Sequence, residues 1–144
     1  MAVSSGGGHW VELRRIRMAF SGLEVFYVST DVAADADLAA RYYTIRNVTR
    51  RSRLGFAVVV WQVLRILLRE RPDVVVTTGA APGFVALAAA KIFLRSKTIW
   101  IDSIASSETL TLSARLARPV ADVRLVQWAH LARPEGPEYW GAVL

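Results

Sequence analysis

The run Pro72-Asp73-Val74-Val75-Val76-Thr77-Thr78-Gly79 leaves little freedom in how this chain folds. Successive valines place apolar side chains on both faces of a strand. That is the pattern of an interior strand in a parallel sheet, covered on each side. Pro72 separates the strand from a long apolar helix before it. Gly79 turns the chain, and Pro82 sits where a first-turn proline belongs in the helix running to Leu94. Strands alternating with helices imply a mostly parallel sheet with right-handed crossovers.

The remaining elements follow from periodicity. Met1 to Ser5 reads as a short strand running into Gly6, Gly7 and Gly8. From His9 to about Phe20, the residues Trp10, Leu13, Ile16 and Phe20 recur at helical spacing, and Gly22 stops that helix. Leu23 to Thr30 is a second β-rich run. Asp31 to Arg41 reads as a loop with a short helix, Tyr42 to Ile45 as a weak third strand, and Asn47 to Arg53 as a basic loop. Gly55 to Arg71 is a long helix with Phe56, Val59, Val60, Val63, Leu64 and Leu67 on its apolar side. Lys97 to Ile101 is a strand closed by Asp102 and Ser103, Leu110 to Ala117 a helix, and Asp122 to Val126 the last strand. The remainder reads as loop. A length of 144 residues suits one domain with a real core. The expectation is an α/β, Rossmann-like domain over 1–144, with helices on both faces and strand order 3-2-1-4-5-6.

Composition narrows the chemistry. The chain has no cysteine, which excludes disulfides and cysteine metal sites and fits a reducing cytoplasm. His9 and His130 are the only histidines, which argues against a histidine-rich metal centre. No metal and no cofactor are expected. The net charge of +6 comes almost wholly from arginine, Lys91 and Lys97 being the only lysines. Such charge suits an anionic partner: nucleic acid, an anionic membrane face, or phosphate-bearing substrates. A genome rich in arginine codons would write the same surface. Nucleic acid is disfavoured, because the patch Arg46, Arg50, Arg51 and Arg53 has few interleaved aromatics and no recognition motif appears. Leu54 to Leu64 is uncharged, but Arg65 ends it well short of the roughly 20 residues a span needs. Val74 to Ala90 is interrupted in its middle. No basic leader precedes an apolar region, so contact with lipid is expected to be peripheral.

Ligands of such sheets bind beyond the carboxyl ends of the strands. Ser4-Ser5-Gly6-Gly7-Gly8-His9, Thr77-Thr78-Gly79-Ala80-Ala81-Pro82-Gly83 and Asp102-Ser103 all fall there. The glycine run can turn backbone N–H groups toward an anion at a helix N-terminus, or simply make a tight turn. It has neither the spacing of a dinucleotide fingerprint nor the Lys-Ser/Thr of a Walker loop. His9 opens the helix, where the positive helix end would lower its pKa and keep it neutral as a general base. The alternative is a hydrogen bond to the glycine loop. Thr78 and Gly79 offer a hydroxyl and a flexible turn to a phosphate or sugar, or only connect strand to helix. Asp102 reads as a rim carboxylate that binds a sugar hydroxyl or orients His9, or as a cap for the next turn. Glu108 is less well placed and reads as structural or interfacial, or else as catalytic.

Ser5-Gly6-Gly7-Gly8-His9, Arg71-Pro72-Asp73-Val74-Val75-Val76-Thr77-Thr78-Gly79, Ile99-Trp100-Ile101-Asp102-Ser103 and Val126-Gln127-Trp128 together resemble the PssD/EpsE-type proteins of bacterial exopolysaccharide synthesis. Those are similar to the membrane-anchoring subunit of the eukaryotic transferase that extends dolichol-diphosphate-GlcNAc. More distantly, the turn resembles the N-terminal half of MurG. The resemblance covers Val3 to Leu144. It implies the N-terminal half of a GT-B glycosyltransferase split into two polypeptides, inverting and inactive alone. The chain would face a lipid-linked sugar acceptor, and a separate C-terminal-half subunit would bind the UDP-sugar. Carried over by motif, Gly7, Gly8 and His9 match the acceptor-side loop, with His9 in the position of the base, Thr78 and Gly79 match the second loop, and Asp102 the acidic rim. Ser5, Gly6 and Ser103 are expected beside them as further acceptor or phosphate contacts. No hydrophobic anchor precedes the first strand, unlike the eukaryotic subunit. The implied location is the cytoplasm, peripheral on the inner face of the cell membrane, with Arg46, Arg50, Arg51 and Arg53 as lipid contacts. The competing reading is a stand-alone phosphate- or nucleotide-binding α/β domain.

Overall fold

A computed structural model of the chain describes residues 1–30, 40–47 and 52–143, with Arg53 described in its backbone only. In chain order the elements are β1 (Ala2–Ser4), α1 (Gly8–Arg15), β2 (Phe26–Ser29), β3 (Arg41–Thr44), α2 (Arg53–Glu70), β4 (Val74–Thr77), α3 (Ala80–Ala89), β5 (Lys97–Ile101), α4 (Leu112–Leu116) and β6 (Val123–Leu125). A 3₁₀ turn extends α1 over Ile16–Phe20, and a π turn extends α3 over Ala90–Leu94. The six strands pair in the order β3-β2-β1-β4-β5-β6, every pair parallel. This is the order the sequence predicts.

Period-2 alternation along the strands builds two unequal layers. On one face, Val3, Phe26, Val28, Val75 and Trp100 meet Val59, Val63 and Leu67 of α2, Val85 and Ala86 of α3, and Ala114 of α4. On the other, Ala2 and Tyr27 meet Trp10 and Leu13 of α1. The Trp10 ring stands edge-on to Tyr27 and Tyr42, with centroids 5.8 and 5.5 Å away. Among the described residues, α1 covers that second face over β1 to β3. Over β4 to β6, Val74, Val76, Ile99, Ile101 and Leu125 line an open apolar groove of about 790 Å³, with Trp140 beside them.

Element ends have local causes. Ser52 caps α2 by accepting from the Gly55 amide, and Arg71 closes it in the left-handed conformation immediately before Pro72. Thr111 accepts from the Ala114 amide, so α4 starts later than the periodicity predicts. β2 is also shorter than its β-rich run, because Leu23 is tied back by its amide to the Phe20 carbonyl. The segment after β6, expected as loop, pairs with that strand: the Val126 amide donates to Glu138, and Glu138 returns a bond to Arg124. Within α2, Val59, Val63 and Leu67 face the core as expected, but Phe56 is largely exposed. Among the described residues no helix is long and apolar enough to cross a membrane.

Candidate functional site

Turns at the carboxyl edge of the sheet interlock. Between β1 and α1 the chain needs positive φ at Gly7 (φ 68), which glycine adopts without a Cβ clash. The Gly6 amide donates to Thr30 Oγ1 at 2.8 Å, tying the turn to the end of β2. Ser5 is half-buried beside it, and Gly7 and Gly8 are exposed. His9 follows on the first turn of α1. Its Nδ1 lies 2.9 Å from the Thr78 carbonyl, and Thr78 Oγ1 donates back to the His9 carbonyl at 2.7 Å. The two turns therefore clasp each other. Gly79 has φ 121, and a Cβ there would stand 3.0 Å from His9 Cε1. The imidazole thus lies against a backbone with no side chain in its way.

This geometry assigns the ring's protons. A carbonyl oxygen can only accept, so Nδ1 carries the hydrogen and Nε2 keeps its lone pair in the neutral ring. The ring is partly exposed, at 27%.

A residue that sequence reasoning passed over completes the site. Glu12 stands one helical turn after His9 and is 5% exposed. Its Oε1 accepts from Ser103 Oγ at 2.8 Å and from the Ile104 amide at 3.0 Å. Its Oε2 has no hydrogen-bond partner among the described residues and lies 3.8 Å from His9 Nδ1. That separation is an ion-pair contact when the ring is protonated, and too long for a hydrogen bond. Burial pushes the Glu12 carboxyl up, but His9, Ser103 and the Ile104 amide outweigh it and hold it below the ordinary value. The His9 pKa is raised: Glu12 raises it most, burial opposes, and the Thr78 carbonyl and Asp102 add to the rise. The expected lowering by the helix end is therefore corrected, because the surrounding negative groups outweigh it.

The other expected residues fall as follows. Asp102 is 2% exposed, and its two oxygens accept from Thr111 Oγ1 at 2.9 Å and the Thr111 amide at 3.3 Å. It anchors the cap of α4 instead of standing at the rim, and the carboxylate beside His9 is that of Glu12. Ser103 is buried on Glu12, and the Thr78 hydroxyl is engaged by His9. Exposed Arg46 follows β3 and uses its amide on Gln62. Arg53 opens α2. Arg50 and Arg51 lie outside the described residues. The only cue to Glu12 was its spacing, since i and i+3 on a helix are neighbours.

The chain matches the family model described as "Oligosaccharide biosynthesis protein Alg14 like" over residues 39–143. The UDP-N-acetylglucosamine transferase subunit ALG14 of Eremothecium gossypii is 31% identical over 105 residues, covering 69% of this chain and 46% of that protein. The chain thus spans about half the length of the curated relative it matches. Among solved structures, Acinetobacter baumannii MurG superposes with a TM-score of 0.72 at 16% identity, over 98% of this chain and 45% of that one. The UDP-GlcNAc 2-epimerase of Methanocaldococcus jannaschii gives 0.61 at 11% identity, over 87% and 38%. The MurG likeness agrees with the Rossmann-like half expected from sequence. The family match begins beyond the glycine turn, so His9 and Glu12 stand on geometry alone. By the span of that match and the identity to its curated relative, the chain belongs to the Alg14-like family of oligosaccharide biosynthesis proteins.

Proposed function

We propose that the chain is the acceptor-binding, membrane-recruiting subunit of a two-component UDP-sugar glycosyltransferase. It acts on a polyprenyl-diphosphate-linked sugar in polysaccharide biosynthesis, and a separate C-terminal-half subunit binds the donor. The observation that carries this reading is the contact between His9 Nδ1 and the Thr78 carbonyl. With Nδ1–H on the Thr78 carbonyl, Nε2 is a proton acceptor at the carboxyl edge of the sheet. As the acceptor hydroxyl attacks the anomeric carbon, Nε2 takes its proton and the nucleoside diphosphate leaves with the bonding pair, inverting that carbon. Such assistance is typically worth about 10²–10⁴ in rate. Family membership supports the reading.

Membrane recruitment rests on α2. Its outward side carries Leu54 at 85% exposure and Trp61 at 59%, with the Arg65 guanidinium 5.4 Å from the Trp61 ring centre. In sequence, the arginines at 46, 50, 51 and 53 precede or open that helix. Apolar and basic groups side by side suit the boundary between acyl chains and anionic headgroups on the inner face of the cell membrane.

The test uses the chain alone and co-expressed with a donor-binding half. Alone it is expected to transfer no sugar, and the pair is expected to do so. In the pair, His9→Ala should lower kcat by about 10²–10⁴ with donor KM nearly intact. Near-normal turnover in His9→Asn would end the case for His9 as base, and robust turnover by the single chain would end the two-component reading.

A further inference from the structure

We propose that Glu12 is the positioning residue of the His9 base: it fixes the imidazole and supplies the counter-charge for the imidazolium formed when Nε2 takes the acceptor proton. The inference rests on the reading of His9 as base.

Three observations carry it. Glu12 is almost fully buried, yet one of its carboxylate oxygens lacks a hydrogen-bond donor among the described residues. A buried carboxylate oxygen without a partner is costly, and structures retain such a group where its charge has work to do. That oxygen is the one nearest the imidazole, 3.8 Å from Nδ1. The other oxygen is gripped from a different strand end by Ser103 Oγ and the Ile104 amide, so the carboxylate cannot swing away to solvent. Finally, the ring is already held by Thr78 through Nδ1–H, so proton uptake at Nε2 adds charge without moving the ring.

The reaction supplies what the resting site lacks. Before transfer the ring is neutral, and Glu12 Oε2 faces a dipole. After Nε2 gains the proton, the ring carries a full positive charge beside it. The interaction is therefore stronger once the proton has moved than before, which is the condition for accelerating the step. Asp102, at the end of β5, is the other charged group acting on His9, but both its oxygens are engaged by Thr111. Glu12 is the carboxylate free to respond.

Glu12→Gln keeps an oxygen for Ser103 and Ile104, removes the charge and places an amide NH2 where Oε2 stood. The first measurement is an NMR titration of His9 in the chain by itself, which needs no partner and no turnover. Having only His9 and His130 makes assignment simple. The second is the pH dependence of kcat in the assembled pair. Glu12→Gln is expected to make His9 titrate at lower pH and to lower kcat by roughly 10–10²-fold, on the scale seen when a metal-bound histidine loses its outer partner. Acceptor KM should change little, and the alkaline rise of kcat should start at lower pH. An unchanged His9 titration overturns the proposal whatever the pair does. A shifted titration with kcat intact also overturns it, leaving Glu12 a structural contact. If Glu12→Gln melts too early to assay, Ser103→Ala loosens the carboxylate but keeps its charge. It should leave His9 titrating above the Glu12→Gln value, or above pH 6.5 where that variant is unfolded, and the reverse result overturns the proposal. A wild-type pair that transfers no sugar removes the transferase reading itself, and with it this role, before any variant is made.

Discussion

Glycine in the middle of a helix is normally a weakness, and replacing it by alanine adds up to about 1 kcal/mol of stability. Gly83, on the first turn of α3, should behave in the opposite sense. A Cβ built there would fall 2.0 Å from Thr77 Oγ1 and 2.9 Å from Thr77 Cβ. Thr77 cannot easily yield. It is fully buried on β4, and its hydroxyl accepts from the Gly79 amide at 3.1 Å. Either α3 moves off the sheet, an overpacking cost of about 1–3 kcal/mol, or Thr77 rotates and leaves the Gly79 amide unpaired, at about 1–3 kcal/mol. A partial mixture of the two costs about 1–3 kcal/mol, and subtracting the propensity gain leaves a loss of about 1–2 kcal/mol. For a domain of this size the melting temperature should fall by roughly 2–8 °C. Thermal and urea unfolding of the single chain measure it. Thr77→Ala removes the nearest clashing atom, so the double variant should lose clearly less than the sum of the two single losses. A Gly83→Ala protein as stable as wild type, or more stable, would refute the close approach of α3 to β4 and the placement of the Thr78–Gly79 turn that depends on it.

Asp102→Asn should act on stability before activity, because one amide oxygen cannot replace two carboxylate oxygens on Thr111; a loss of about 1–3 kcal/mol in urea unfolding is expected, with kcat of the surviving pair near wild type. Raising pH should weaken the fold through His9. Its folded pKa is above the unfolded value, so its contribution is fully present below about pH 6.5 and is lost as pH rises through the folded pKa. Over the same window activity should rise, since the base must be neutral; parallel pH profiles of urea midpoint and kcat check the opposed slopes. Changing Arg46, Arg50, Arg51 and Arg53 together to Gln should weaken sedimentation with anionic liposomes, each basic residue near the surface contributing roughly 1 kcal/mol, with the difference fading at high salt. Unchanged sedimentation would remove the membrane role of that segment.

Much of the architecture was legible because it is written in patterns with a single physical meaning. The valines of β4 mark an interior strand, although the expected cover on both faces is not met, since Val74 and Val76 line the open groove; the glycine turns mark where strands pass into helices, so the strand order followed. The convergence of the His9, Thr78 and Ser103 segments at one edge followed from it. The parts that escaped depend on which way one side chain points. Glu12 occupies a polar position in an amphipathic helix, where a glutamate ordinarily faces water. Its burial comes from Ser103 and Ile104, residues 91 and 92 positions away. Asp102 closes an apolar strand in a way that suits a rim residue, yet Thr111 draws it inward to hold α4. The direction of the His9 perturbation was missed for the same reason: the helix end is visible in sequence and the buried carboxylate is not. The pairing of Val126 with Glu138 was hidden behind prolines and glycines that read as loop.

The clasp between His9 and Thr78 also sets when the site comes into being. The two residues are 69 positions apart, and the Glu12 contacts span more. An eight-residue helix such as α1 does not persist in water by itself, whereas the 18 residues of α2 approach the length at which helices form locally. The base is therefore oriented only after β1 has found β4, a closure across most of the first half of the chain that is entropically slow. Helical signal should appear early in refolding, while a competent imidazole is among the last features to form. Any partly folded form that keeps α2 but opens the β1–β4 pairing would retain its helix and lose its base.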